Sequence, residues 1–89
     1  MPKGKHIKVV HRKLGRERAW GIADDFIELD VRLKGKKHLE VLLHEALHVL
    51  FPAMSENEVI DKSIILTNTL WSESYRRIDN DCSQPMQWE

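Results

Sequence analysis

Two imidazoles and a carboxylate fall together in "VLLHEALHVLFP", the stretch Val41 to Pro52: they are His44, Glu45 and His48. On an α-helix, residues four apart lie one turn above each other, so His44 and His48 can aim at a single point. A zinc ion takes neutral imidazoles as ligands in that way. Glu45 lies about 100° round the helix from His44, within reach of a water on such an ion but poorly placed to join both histidines as a ligand. The H-E-x-x-H spacing therefore reads as two ligands and a base. With five His and eight Glu in 89 residues, independent placement produces this pattern only about 2% of the time.

The setting adds weight. The motif sits in an apolar helix, where an imidazole or carboxylate without a partner costs roughly 1–3 kcal/mol, and one metal ion satisfies both rings. A hydrolytic zinc site needs three protein ligands and an open position for water. Glu58 is the expected third ligand: His48 lies in the last turn before Pro52 and Glu58 in the first turn of the next helix, so antiparallel packing sets them level. Glu58 is also the third residue after Ser55, and a capping box would use it to hold the helix start without any metal. Glu56 is the main rival ligand. Asp61 suits a carboxylate that accepts a proton from a ligand imidazole, with a solvated helix position as its ordinary alternative.

His6, His11 and His38 have no helical spacing to another histidine and read as surface or hairpin residues. Cys82 could cap a metal as thiolate if the tail folded back, but reads as a bystander thiol. Tyr75 and His38 are conceivable donors to a developing oxyanion.

The elements that must position this group can be read in order. "KHIKVVHR", Lys5 to Arg12, is β-branched at its centre and runs into "KLGRE", which has a glycine suited to a turn. Arg18 to Ala23 can form a second strand. Phe26 to Leu33 alternates, with Ile27, Leu29, Val31 and Leu33 on a buried face and Glu28, Asp30 and Arg32 on a wet one. Asp24-Asp25 supplies a hairpin turn, so the spacing predicts a three-stranded antiparallel sheet. From His38 the apolar period becomes helical and continues to Pro52, which ends the helix. Ser55 then starts a second helix whose stripe runs from Val59 to about Arg77. The expected fold is thus α+β, a small antiparallel sheet followed by two packed antiparallel helices, in one domain over residues 1–78 with a polar tail at 79–89.

Composition narrows the function classes. Of the chain, 42% is apolar and 31% charged, with no net charge, which is ordinary for a soluble globular protein and gives no overall pull toward nucleic acid or anionic lipid. Charge is uneven, at +6 over residues 1–20, −2 over 21–52 and −4 over 53–89. A single cysteine forbids an internal disulfide and a cysteine-based zinc finger. The first residues lack the apolar core of a secretory signal, and no apolar run reaches the roughly 18 residues of a membrane span. A cytoplasmic protein is expected.

The stretch "FIELDVRLKGKKHLEVLLHEALHVLFPAMSENEVI" resembles the minimal zinc-peptidase unit of the gluzincins: a small sheet, a helix carrying "HEALH" and a following helix that brings a glutamate. The compact size is similar to ImmA/IrrE-type metallopeptidase domains and to short, often phage-encoded metallopeptidases. That resemblance implies Zn2+ bound by His44, His48 and Glu58, with Glu45 activating water, a peptide or protein substrate, and host cytoplasm as the location if the chain is phage-encoded. It also implies that the strand beside the active helix, here Phe26 to Leu33, pairs with an extended substrate.

Two other classes remain. One is a catalytically inactive, zinc-stabilised module that binds a host or regulatory protein through a sheet edge. The other is nucleic-acid binding through Lys3, Lys5, Lys8, Arg12, Lys13, Arg16 and Arg18, which ranks last because no base-reading motif accompanies the charge.

Overall fold

A computed structural model describes residues 6–14, 20–23 and 26–78. Three short strands precede two helices: β1 (Val9–Arg12), β2 (Gly21–Ala23), β3 (Ile27–Asp30), α1 (Gly35–Leu50) and α2 (Glu56–Ser72). The α+β architecture of a three-stranded sheet with two packed helices is as the hydropathy pattern predicts. The tail at 79–89 and the Asp24-Asp25 turn lie outside the described residues.

Sheet pairing departs from the antiparallel expectation. The strand order is β1-β3-β2, with β2 antiparallel to β3 and β1 parallel to it. In the antiparallel pair Ala23 faces Ile27 and Gly21 faces Leu29. β1 then takes the other side of β3, with Val9 opposite Ile27 and Arg12 opposite Asp30. Because β3 is hydrogen-bonded along both sides, it has no edge to offer a substrate.

β3 is also shorter than its alternation suggests. Ile27 and Leu29 are fully buried, but the strand ends at Asp30, after which Val31 is 46% exposed. Asp30, expected on the wet face, has no exposed surface. Its carboxylate accepts from the Leu14 N–H at 3.0 Å, the Arg32 N–H at 2.8 Å and the Arg32 guanidinium at 2.8 and 2.9 Å. Those bonds hold its ionisation well below the usual carboxylate range, the Arg32 side chain contributing most. Asp30 thus ties the segment after β1 to the turn after β3. Arg32 in turn lies over the Trp20 ring, 5.0 Å from its centroid.

Gly35 opens α1 with φ +57°, a left-handed conformation that glycine adopts without the penalty a Cβ imposes. α1 stops at Leu50, where the Phe51 N–H donates to the Leu47 carbonyl at 2.8 Å, in line with the proline that follows. α1 lies between the sheet and α2, and the core joins Ile27, Leu29, Leu33 and Val41 to Ile7, Val9, Leu42, Ala46 and Val49. α2 buries Val59, Ser63 and Thr67, a stripe of small side chains four apart that lets it approach α1 closely. The first residue of α1 lies against Trp71 near the end of α2, and His48 near the end of α1 meets Glu56 at the start of α2, so the helices run antiparallel.

α2 ends earlier than Arg77. Glu73 and Tyr75 donate back to Leu70, at 3.2 and 2.9 Å, while Ser74 turns left-handed at φ 71° and redirects the chain. No helix among the described residues is long and apolar enough to cross a membrane.

Candidate metal centre

The α1 period brings His44 and His48 together as expected: their Nε2 atoms are 3.2 Å apart and their rings meet edge to face at 66°. The third group is Glu56. Its Oε2 lies 3.2 Å from His44 Nε2 and its Oε1 2.9 Å from His48 Nε2. These three side chains are the one group among the described residues with donor atoms close enough to hold a metal ion, all within 4.8 Å of one another.

Glu58, the expected third ligand, is placed elsewhere. The Ser55 N–H donates to Glu58 Oε1 at 3.3 Å, the Ser55 hydroxyl lies 3.4 Å from the same oxygen, and the Glu58 N–H donates to Ser55 Oγ at 3.2 Å. The capping box turns the Glu58 carboxylate back along its own helix, away from the histidines. Glu56, at the first position of α2, faces the end of α1 instead. The signal that could have found it was in the sequence: a cap that uses the third residue leaves the first one free to face the preceding helix. Asp61 is exposed and stands outside the group.

The three side chains stand close enough to hold a metal ion. Each histidine meets a different oxygen of Glu56, His44 through Oε2 and His48 through Oε1. Glu56 is 60% exposed, so that side faces solvent.

Glu45 is half-buried on the adjoining face of α1, against β2. A Cβ placed on Gly21 would lie 2.9 Å from Glu45 Cγ and 2.8 Å from Val41 Cγ1, so the close approach of β2 to α1 depends on glycine there. Burial pushes the Glu45 carboxyl up, partly offset by His44 and His48. Beside it is a cavity of about 280 Å3 bounded by Trp20 and Gly21 from the β2 side, His44 and Glu45 from α1, and Ile60 and Ser63 from α2. This cleft is shared by Glu45 and His44.

Of the remaining sequence candidates, His6 is exposed, and Cys82 lies outside the described residues. Tyr75 and His38 do not line this cleft, so neither serves as an oxyanion donor there. His38 is not the surface residue its spacing suggested: it is 6% exposed, and its Nε2 lies 3.0 Å from His11 Nε2. The histidines of that pair are 27 residues apart, so no local spacing foretells it.

Set against family models, curated proteins and solved structures, the chain has no match in any of the three. The site is therefore read from its own geometry.

Proposed function

We propose that the chain is a zinc-dependent metallopeptidase of the minimal gluzincin kind, with Glu45 as general base and His44, His48 and Glu56 as the metal ligands. The observation that carries this reading is the convergence of two Nε2 atoms and one carboxylate beside a half-buried glutamate that lines a cleft. A structural zinc site has four protein ligands; this group supplies three.

Zinc at such a centre supplies Lewis acidity, polarising a carbonyl and lowering the pKa of water toward about 7. The chain's own residues do the rest. Glu45 accepts a proton from the attacking water and passes it to the leaving amine, a role that typically contributes about 10²–10⁴-fold in rate. The cleft, at about 280 Å3, is just below the size of ordinary ligand pockets, roughly 300–1,000 Å3, and accommodates about one substrate residue. β2 is an edge strand beside Glu45 and replaces β3 as the element able to pair with an extended peptide backbone.

The test is direct. Purified protein should contain about one zinc per chain and cleave members of a quenched-fluorescent peptide library. Glu45→Gln should keep the zinc and lose cleavage, and His44→Ala should lose the zinc. Protein that retains zinc, yet is inactive on every peptide with Glu45 intact, would leave a metal-stabilised binding module in place of the enzyme.

A further inference from the structure

A second cluster of ionisable groups lies at the opposite end of α1. The left-handed Ser74 turns the chain leaving α2 back over the start of α1, and Arg76 anchors it there. The Arg76 guanidinium sits 3.5 Å from the Trp71 ring centroid and donates to the Trp71 carbonyl at 2.9 Å. Tyr75, Arg76 and Arg77 are thereby set beside His11 of β1 and His38 of α1, around a cavity of about 350 Å3.

The walls of this cavity are of two kinds. The lining is mostly carbon, with Val9, Leu39 and Leu42 as its apolar floor, and His11, His38, Arg76 and Arg77 bring the nitrogen atoms to it. An adjoining pocket shares Gly35, His38 and both arginines and adds Lys34. No aspartate or glutamate lines either space among the described residues. The start of α1 adds to the positive field, because its first turn has no acidic residue and Lys34 provides no side-chain cap for the leading N–H groups.

The His11 and His38 rings lie parallel within 10°, with Nε2 facing Nε2 at 3.0 Å. One Nε2 must donate and the other accept, so the accepting ring carries its proton on Nδ1 and keeps a donor in reserve. Burial, and then the charge of Arg77, lower the pKa of both rings. Neutral imidazoles alone could also receive a metal cation. Here Lys34, Arg76 and Arg77 oppose that charge, and among the described residues no carboxylate lines the space to offset them.

We propose that this cavity is a binding site for a small organic anion, with a phosphate or carboxylate head held by Arg77 and the histidine pair and an apolar body against Val9, Leu39 and Leu42. The site is separate from the metal centre and does not depend on the peptidase reading. An incoming anion favours the protonated form of the pair, so binding takes up a proton and tightens between neutral pH and about pH 6. The other titratable side chains facing the pair from the elements packed against it are Lys34, Tyr75, Arg76 and Arg77.

The experiment is a titration of the zinc-loaded protein with phenyl phosphate, benzoate, inorganic phosphate and benzyl alcohol, following the His11 and His38 ring resonances. Phenyl phosphate or benzoate should shift both rings saturably, and whichever is tighter identifies the head group. Inorganic phosphate and benzyl alcohol, each lacking one half of the proposed ligand, should bind at least tenfold more weakly. Arg77→Glu, a surface change compatible with folding, should weaken the preferred ligand at least tenfold, and His11→Ala should abolish its pH dependence. Shifts confined to His44 and His48, binding unaffected by Arg77→Glu, or a second equivalent of zinc held by His11 would each overturn the proposal.

Discussion

Glu56 and Glu58 stand two residues apart in the first turn of one helix and face different neighbours. Glu56 reaches both histidines, at 3.2 and 2.9 Å, whereas Glu58 closes the reciprocal cap with Ser55. Their substitutions should therefore separate metal affinity from helix stability. Glu56→Gln, which keeps the shape and removes the charge, should weaken zinc binding by more than the roughly 10–100-fold typical of losing an outer hydrogen-bond partner. Glu58→Ala should leave zinc content unchanged and reduce stability by about 0.3–1.5 kcal/mol through the lost cap. Metal analysis and urea unfolding on both variants check this. Zinc released by Glu58→Ala and retained by Glu56→Gln would reverse the assignment. His44, Glu45 and His48 were legible because their relation is local, one turn of one helix. The choice between two nearby glutamates was not, because it depends on a side-chain bond to Ser55 that already occupies the Glu58 carboxylate.

At the scale of elements, the contact of β2 with α1 sets where Glu45 stands. A methyl group at Gly21 would fall 2.8 Å from Val41 Cγ1 and 2.9 Å from Glu45 Cγ, so Gly21→Ala must push β2 away or displace the base. Overpacking of this kind costs about 1–3 kcal/mol. Peptide cleavage should fall further than stability does, since the displaced atoms belong to the proposed general base, while zinc content stays near wild type. Unfolding measurements and cleavage rates on the same preparation test it, and a destabilised variant that keeps its full rate would show that β2 does not position Glu45. The two helices and the antiparallel pairing of β2 with β3 were readable from the sequence pattern. The parallel pairing of β1 was not, because it joins residues 18 apart, Val9 with Ile27, and no local pattern distinguishes the two edges of β3. Asp30 was misread as solvent-facing for a related reason. Its alternation is that of a strand, but the strand stops there and its partners, Leu14 and Arg32, come from the flanking loops.

For the whole molecule, acid should act through groups that the fold keeps from taking up protons. His11 and His38 have folded-state pKa values below their ordinary 6.5, and Asp30 lies below its ordinary 3.8. In each case the unfolded chain binds protons more readily, so stability is full above the unfolded value and is lost as pH falls toward the folded one. Metal-free protein should therefore lose stability in two stages, first below about pH 6.5 through the histidine pair and then below about pH 4 through Asp30. His11→Ala should flatten the first stage and Asp30→Asn the second in urea unfolding followed across pH. The proposed zinc enters the same balance at neutral pH. The core of Leu14, Ile27, Leu29, Leu33, Val41, Leu47 and Val59 is small, and the proposed metal centre ties the end of α1 to the start of α2, next to Leu47 and Val59. A ligand that binds only the folded chain, at a hundred times its dissociation constant, adds about 2.7 kcal/mol. In a chain of 89 residues, each kcal/mol moves the melting temperature by roughly 4–8 °C. Removing zinc at neutral pH should thus lower the midpoint by roughly 10–20 °C, restored by adding zinc back to the wild type and not to His44→Ala. A melting temperature indifferent to chelation would mean that His44, His48 and Glu56 hold the two helices together with no ion between them.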